Sequence, residues 1–263
     1  MAVRLSAAVL IAAGVAGCSN LPMPLDLEGR QDKAEELAKQ ARDVEGSSRE
    51  TALVLYNQGV TMSGESPAAY VRLAEAYMRM HRWKDAVETY RKALAGDPDN
   101  ADARLGLGTA LVRKGEIKEG IDALAKAAPA VGTGTAYNRL GVAQTMAGQF
   151  SNALETYEKG LSVAPEDMDI ATNLAIAAAL GDDTETAGKI ADQIAVSPAA
   201  TAVHRRNLVI VYGMIGRSSG AARAVAPNGL SQADFDKLFV RANAIRKITD
   251  PAKRAHAVGT IQG

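Results

Sequence analysis

The sequence predicts an all-α solenoid of about six helix pairs, closed by a C-terminal capping helix. Small residues recur at intervals of 33 or 34 residues, at Ala52, Ala86, Gly120, Ala153, Ala187 and Ala221. A second recurring position is occupied by Leu73, Leu107, Leu140, Leu174 and Leu208. A fixed period of this length indicates a repeat architecture in which each unit buries its apolar side against its neighbours.

The composition agrees with closely packed helices and excludes several kinds of function. Apolar residues make up 47% of the 263 residues, but aromatic residues make up only 4%. The 30 basic and 30 acidic side chains balance, so the chain has no electrostatic footprint for nucleic acid. Three histidines and one cysteine are too few for a zinc site of the usual kind. We therefore expect no metal, no cofactor and no nucleic-acid partner.

The first 17 residues have the pattern of an export signal. Arg4 supplies a positive start, residues 5–16 carry no charge, and small residues lead to Cys18, the single cysteine. The apolar run is too short to span a bilayer as a permanent helix. A lone cysteine at the cleavage point resembles the bacterial lipobox, which implies lipidation of Cys18. The alternatives are a buried cysteine or an uncleaved anchor.

The next segment, residues 18–32, is interpreted as the lipidated cysteine and a tether. Pro22, Pro24 and Gly29 lie among scattered charges, which favours a flexible or extended chain. By similarity to enterobacterial sorting, Ser19 after the cysteine favours the outer membrane over the inner one. The predicted location is the periplasmic face of the outer membrane.

The solenoid is predicted over residues 33–229. Tyr or Leu stands four residues after several of the small residues, where it would fill the space between two closely approaching helices. Gly115, Gly148 and Gly216 stand where the first helix of a pair must stop, and glycine readily takes the left-handed conformation that ends a helix.

After the solenoid, residues 230–248 are predicted to form the capping helix. Ser231 is its expected N-cap, and Phe235, Leu238, Phe239, Ala242 and Ile245 form one apolar face. This helix covers the last repeat or, alternatively, binds a partner. Residues 249–263 are polar and interrupted by Pro251, so a loose tail is expected.

The repeat resembles the tetratricopeptide repeat, a helix-turn-helix unit of 34 residues. Its best copy spans 67–100 and carries Tyr70, Leu73, Ala74, Tyr77, Ala86, Tyr90, Ala93 and Pro98. The resemblance implies a right-handed superhelix whose concave face is lined by the first helix of each pair. It also implies a protein-binding scaffold and not an enzyme.

No catalytic motif competes with this interpretation. His81, His204 and His256 occupy unrelated positions, and Gly132-Thr133-Gly134 lacks the preceding strand that a dinucleotide site requires. We therefore expect no catalytic residue and no small-molecule substrate.

The concave face supplies the candidate partner-binding residues. Apolar and amide side chains on the first helices are favoured, since amides can bind a peptide backbone whatever its sequence. The candidates are Asn138, Asn173, Arg206, Asn207, Met78 and Val142. Further residues expected on this face are Val71, Glu75, Leu105, Thr109, Val112, Met146, Thr172, Ile176, Ile210 and Met214. Val71 and Leu105 stand where the carboxylate clamp of some family members needs a basic residue, so that clamp is expected to be absent.

The stretch of residues 204–217 resembles the last repeat of the TadD family of lipoproteins in the tight-adherence (Flp) pilus system. This resemblance implies help with the placement or assembly of an outer-membrane secretin, the protein partner expected here. The alternatives are a pilotin of another type IV pilus or an adaptor for cell-wall hydrolases.

Overall fold

The computed structural model describes residues 27–220 and 231–262, and it confirms the all-α solenoid. Consecutive helices pack in pairs. The pairs are α1 (Leu27–Glu45) with α2 (Arg49–Met62), α3 (Pro67–Arg79) with α4 (Trp83–Gly96), α5 (Ala101–Lys114) with α6 (Ile117–Val131), α7 (Gly134–Met146) with α8 (Phe150–Val163), and α9 (Met168–Leu180) with α10 (Thr184–Val196). Helix α11 (Ala202–Ile215) opens the last repeat, followed by α12 (Gln232–Ile245) and α13 (Pro251–Gln262).

The recurring small residues lie where the two helices of a pair touch. Ala52, Ala86, Ala153 and Ala187 are fully buried, and Gly120 is buried in α6. Because a larger side chain there would force the paired helices apart, the period found in the sequence is a packing requirement. The remaining member of the series, Ala221, lies outside the described residues.

Two tyrosines show why glycine occurs within these helices. The ring of Tyr157 lies against Gly141 so closely that an added Cβ would come within 2.5 Å of it. Tyr90 lies against Gly106 in the same way, at 2.3 Å. Each large ring therefore fills space that a missing side chain leaves open, as the spacing of the tyrosines predicts.

Helix boundaries follow from capping residues. Five first helices each begin after an N-cap residue whose side chain accepts a hydrogen bond from the backbone N–H three residues later. These N-cap residues are Ser66 for α3, Asn100 for α5, Thr133 for α7, Asp167 for α9 and Thr201 for α11. At the other end, Gly115, Gly148 and Gly216 adopt positive φ values of 98°, 73° and 75°. The predicted left-handed stops are thus confirmed.

Helix α1 begins at Leu27 and not near Lys33, as the sequence led us to expect. Residues 27–32 were assigned to the tether but are helical. Arg30 accounts for the added turn, because its Nε donates a hydrogen bond of 2.8 Å to the carbonyl of Met62 at the end of α2. The predicted signal segment, Cys18 and the tether up to residue 26 lie outside the described residues.

The predicted capping helix is α12. Ser231 accepts a hydrogen bond from the amide of Asp234 at 3.1 Å, and Leu238, Ala242 and Ile245 are buried. The contact with α11 is close, since a Cβ added at Gly213 would lie 2.7 Å from that of Ala242. Helix α12 thus covers the last described repeat helix, which a solenoid end requires.

The expected loose tail is instead the helix α13. Asp250 caps it by accepting the amide of Lys253 at 2.8 Å, and Pro251 is its first residue. Proline is tolerated in the first turn of a helix, where its missing N–H would have had no intrahelical partner. Pro251 therefore starts this helix. Among residues 27–220 and 231–262, no helix combines the length and apolar character needed to cross a membrane.

Candidate protein-binding groove

The first helices of successive repeats lie side by side and form one wall of the solenoid. Helix α5 contacts α7, α7 contacts α9, and α9 contacts α11. Residues spaced by one repeat therefore become neighbours on this wall. We call this surface the concave groove; its central part is formed by α5, α7 and α9.

Two adjoining clefts give the centre of the groove its depth. The first, of about 330 Å³, lies between α5 and α7, and Thr109, Asn138 and Val142 line it. The second, of about 760 Å³, extends to α9 and is lined by Asn173 and Ile176 among others. Val112, Arg113, Val142 and Met146 line both clefts, which are thus parts of one surface.

An amide pair joins two repeats at the floor of the groove. Asn173 donates a hydrogen bond of 2.9 Å to the side-chain oxygen of Asn138, across 35 residues of sequence. Both side chains are partly exposed. Because an amide offers two donors and an oxygen with two lone pairs, the pair keeps further hydrogen-bonding capacity for a bound segment.

The electrostatic character of the clefts is neutral to basic. Arg113 borders both clefts, Arg139 borders the first and His256 borders the second. Among the described residues that line these two clefts, none is an aspartate or a glutamate. The arrangement therefore suits an apolar segment that also carries an acidic side chain or a free carbonyl.

The structure brings together three of the six predicted binding residues. Asn138, Asn173 and Val142 line the clefts. Arg206 and Asn207 lie half-buried on α11, one repeat further along the wall. Met78 lies on α3, where it packs against the cluster between α3 and α5, and it does not line these clefts.

Several residues expected to line the groove are instead buried. Ile210 and Met214 are at most 2% exposed, and they belong to the buried cluster that joins α9, α10, α11 and α12. Thr172 is also buried, and its neighbour Asn173 lies at the groove. Leu105 is largely buried as well, whereas Ile176 lines the second cleft although little of its surface is exposed. The groove is therefore narrower than the repeat pattern predicts, because that pattern does not show which faces of a first helix the neighbouring helices cover.

Part of the groove wall could not be predicted from the sequence. Arg113 follows Val112 directly, and no periodic signal separates it from the other exposed arginines. Helix α13 contributes Ala255 and Val258 to the second cleft, although its residues were assigned to a loose tail. Only the three-dimensional packing reveals that contribution.

Two of the histidines, His204 and His81, make contacts that stabilise the fold. Nδ1 of His204 accepts the amide of Thr201 at 3.1 Å, so Nε2 carries the proton and donates to Asp169 at 2.9 Å. His81 packs edge-on against Trp83, with ring centroids 4.9 Å apart. Within the described ranges, no group of His, Cys, Asp and Glu side chains could hold a metal ion.

Comparison with known families identifies the repeat. Two family profiles, each described as tetratricopeptide repeat, match residues 71–136 and 134–167. These ranges cover the helices that line the two clefts from α5 to α8. Residues 71–167 therefore carry tetratricopeptide repeats, and this fold typically presents binding surfaces for other proteins. No curated protein sequence matches the chain.

Solved structures share the solenoid at low sequence identity. PilF of Pseudomonas aeruginosa is 21% identical, with a TM-score of 0.61 over 74% of this chain and 90% of that one. PilW, described as a widely conserved type IV pilus biogenesis factor, is 19% identical, with a TM-score of 0.65 over 78% and 98%. A tetratricopeptide repeat protein from Parabacteroides merdae is 14% identical, with a TM-score of 0.66 over 88% and 93%. At these identities the likeness concerns the fold.

Proposed function

We propose that the chain is a lipid-anchored scaffold that holds a segment of a partner protein in its concave groove while a pilus is assembled. The observation that carries this proposal is the groove itself. It is apolar, lacks carboxylates among its described lining residues and contains the paired amides Asn138 and Asn173. Such a surface binds peptide backbone and apolar side chains.

The client that we propose is the secretin of a Flp/Tad-type pilus. The resemblance of residues 204–217 to the TadD family supports this choice. A second candidate is a scaffold for another type IV pilus, which the similarity in fold to PilF and PilW favours. Identification of the outer-membrane ring protein that co-purifies with the chain separates the two candidates.

The amide pair gives the sharpest test of the groove. Asn138→Ala and Asn173→Ala, singly and together, each remove hydrogen-bonding groups that a bound segment uses. Loss of a buried hydrogen bond costs about 1–3 kcal/mol, which corresponds to roughly ten- to a hundredfold in affinity. We expect weaker co-purification of the secretin from membranes, and a larger loss in the double variant.

The matched control is Asn152→Ala, which removes an exposed amide on the second helix α8. It should leave co-purification unchanged. Melting temperatures of all the variants should stay close to that of the parent protein, since both groove amides are partly exposed. Unchanged binding by the double variant would refute the groove as the client site.

The anchor and the location are part of the same proposal. The signal-like segment before Cys18 supports lipidation of that cysteine, and Ser19 supports sorting to the periplasmic face of the outer membrane. Cys18→Ser should abolish the incorporation of labelled palmitate and release the protein from the membrane pellet. A variant that still takes up label and stays in the pellet would contradict the proposed anchor.

A further inference from the structure

Helix α13 forms one wall of the second cleft of the concave groove. Ala255 and Val258 are buried against the cluster that contains Ile176 and Leu180 of α9. Its first residues also reach the turn after α7, where a Cβ added at Gly148 would lie 2.7 Å from that of Pro251. The last helix of the chain therefore returns to the middle of the solenoid and packs on the wall of first helices.

Arg254 fixes the position of this helix. Its side chain is nearly buried, and Nη1 donates to the carbonyl of Leu180 at 2.6 Å and to Asp182 Oδ2 at 2.8 Å. Nε donates to the carbonyl of Ile248 at 2.7 Å. Since the last carbonyls of a helix have no intrahelical partner and carry partial negative charge, the end of α9 is a natural site for a cation.

The attachment of α13 is one-sided. Lys253, His256 and Gly259 are exposed, and the buried contacts on its length come mainly from Arg254, Ala255 and Val258. A helix of 12 residues is marginal in water by itself, so α13 depends on this contact for its order. The cleft beside it remains open, with a volume of about 760 Å³.

We propose that α13 occupies a site that a helix of a partner protein can also occupy, and that the partner binds there by displacing α13. We call this site the seat; Ile176, Leu180 and Asp182, in and directly after α9, contribute to it. The partner segment would be a short helix with the pattern that α13 shows. That pattern is an arginine, followed by a small residue and, three positions later, a β-branched apolar residue. The existence of an external partner rests on the proposed function; the occupation of the seat by α13 does not.

Displacement within one chain has a clear physical requirement. A tethered helix competes at an effective concentration in the millimolar range, so a free helix of equal affinity binds poorly while α13 is seated. Weakening the seated helix in the chain should therefore open the groove to a peptide supplied from outside.

The test uses the full chain and a fluorescently labelled peptide of residues 249–262, followed by fluorescence anisotropy. In the chain, Arg254→Ala removes the contact with the end of α9, and Val258→Asp places a charge in the apolar contact. Both variants should bind the unchanged peptide at least tenfold more tightly than the parent chain does. Lys253→Ala, which alters an exposed side chain of the same helix, should behave like the parent.

A second peptide checks the mode of binding. The peptide that carries Val258→Asp should bind none of the chains, because it lacks the apolar contact. Equal binding of the unchanged peptide to the parent and to both variants, or no binding to any of them, would overturn the proposal. Because both substitutions lie on the terminal helix, the melting transition of the solenoid should persist in each variant and confirm that the groove is intact.

The same assay separates this inference from the proposed function, because it contains no client protein. The alternative occupant of the seat is α13 of a second copy of the chain. Analytical ultracentrifugation tests this alternative, because it would make the chain a dimer. The parent chain should sediment as a monomer at the concentrations of the assay. A dimer that dissociates in the Val258→Asp variant would overturn the intramolecular assignment.

Discussion

Three arginines show how single side chains bind the C-terminal ends of other helices. Arg30 donates to the carbonyl of Met62, Arg205 to that of Ala195, and Arg254 to that of Leu180. Each acceptor lies at or near the C-terminal end of a helix, where carbonyls lack intrahelical partners. The donor and acceptor residues are 32, 10 and 74 positions apart in the sequence, so no local sequence pattern predicts these hydrogen bonds.

At the N-terminal end, Glu45 forms the centre of a cluster that joins α1, α2 and α3. Arg79 donates to both carboxylate oxygens, at 2.8 and 2.9 Å, and to the hydroxyl of Tyr56 at 3.0 Å. The hydrogen bonds from Arg79 lower the pKa of Glu45 below its ordinary value of 4.5. A group with a lowered pKa in the folded state stabilises the fold above its unfolded pKa.

We therefore predict that Glu45→Gln removes part of the acid sensitivity of the protein. In the parent, the stabilisation is complete well above pH 4.5 and is lost as the pH falls through the lowered pKa of Glu45. At neutral pH the variant should lose about 0.5–1 kcal/mol of unfolding free energy, since this ion pair is partly exposed. Urea unfolding at pH 7 and at pH 3 measures both effects.

The control for this prediction is Glu88→Gln, which changes an exposed carboxylate on α4. Its stability should follow that of the parent at both pH values. If Glu45→Gln destabilises the protein equally at pH 7 and pH 3, its loss comes from packing and not from ionisation.

The helix pair is the element on which this fold depends, and its contact surface leaves little room for change. Ala86 of α4 is fully buried, whereas Lys84, two residues earlier on the same helix, is exposed. Both residues have good helix propensity, so their difference lies in the direction that each faces. The sequence period assigned these directions correctly.

Ala86→Trp should accordingly be far more disruptive than Lys84→Trp. The large ring has no space at the contact of α3 with α4, and overpacking of a core typically costs 1–3 kcal/mol or more. At position 84 the ring extends into solvent. Thermal unfolding of the two variants measures the difference, and equal melting temperatures would contradict the repeat register.

For the whole molecule, the sequence predicted the solenoid, its capping helix and part of the groove, but not α13 or the first turn of α1. The pairing of Asn138 with Asn173 could be anticipated, because residues about one repeat apart become neighbours on stacked helices. The helix α13 could not, because its order depends on Arg254 reaching the end of α9. The burial of Ile210 and Met214 could not be predicted either, because it depends on how α9, α10, α11 and α12 pack together in one cluster.

The distribution of burial along the solenoid leads to a prediction about its local stability. All residues from 174 to 180 in α9 and from 208 to 214 in α11 are buried. Helix α9 contacts five helices, namely α7, α8, α10, α11 and α13. Among the described helices, α1 makes close contact with α2 and α3 only. In a solenoid each repeat is stabilised by its neighbours, so opening should be easiest at the ends.

We expect hydrogen exchange to be slowest in α9 and α11 and fastest in α1 and α13, with rates that differ by at least about tenfold, or roughly 1.4 kcal/mol in opening free energy. Peptide-resolved exchange measured by mass spectrometry tests this order. Val258→Asp should accelerate exchange in α13 while leaving α3 to α6 unchanged, because those helices do not contact it closely. Slowest exchange in α3 and α4 would contradict the prediction. The same measurement bears on the groove. Displacement of α13 by a partner requires that α13 opens readily while α9, against which it packs, stays closed.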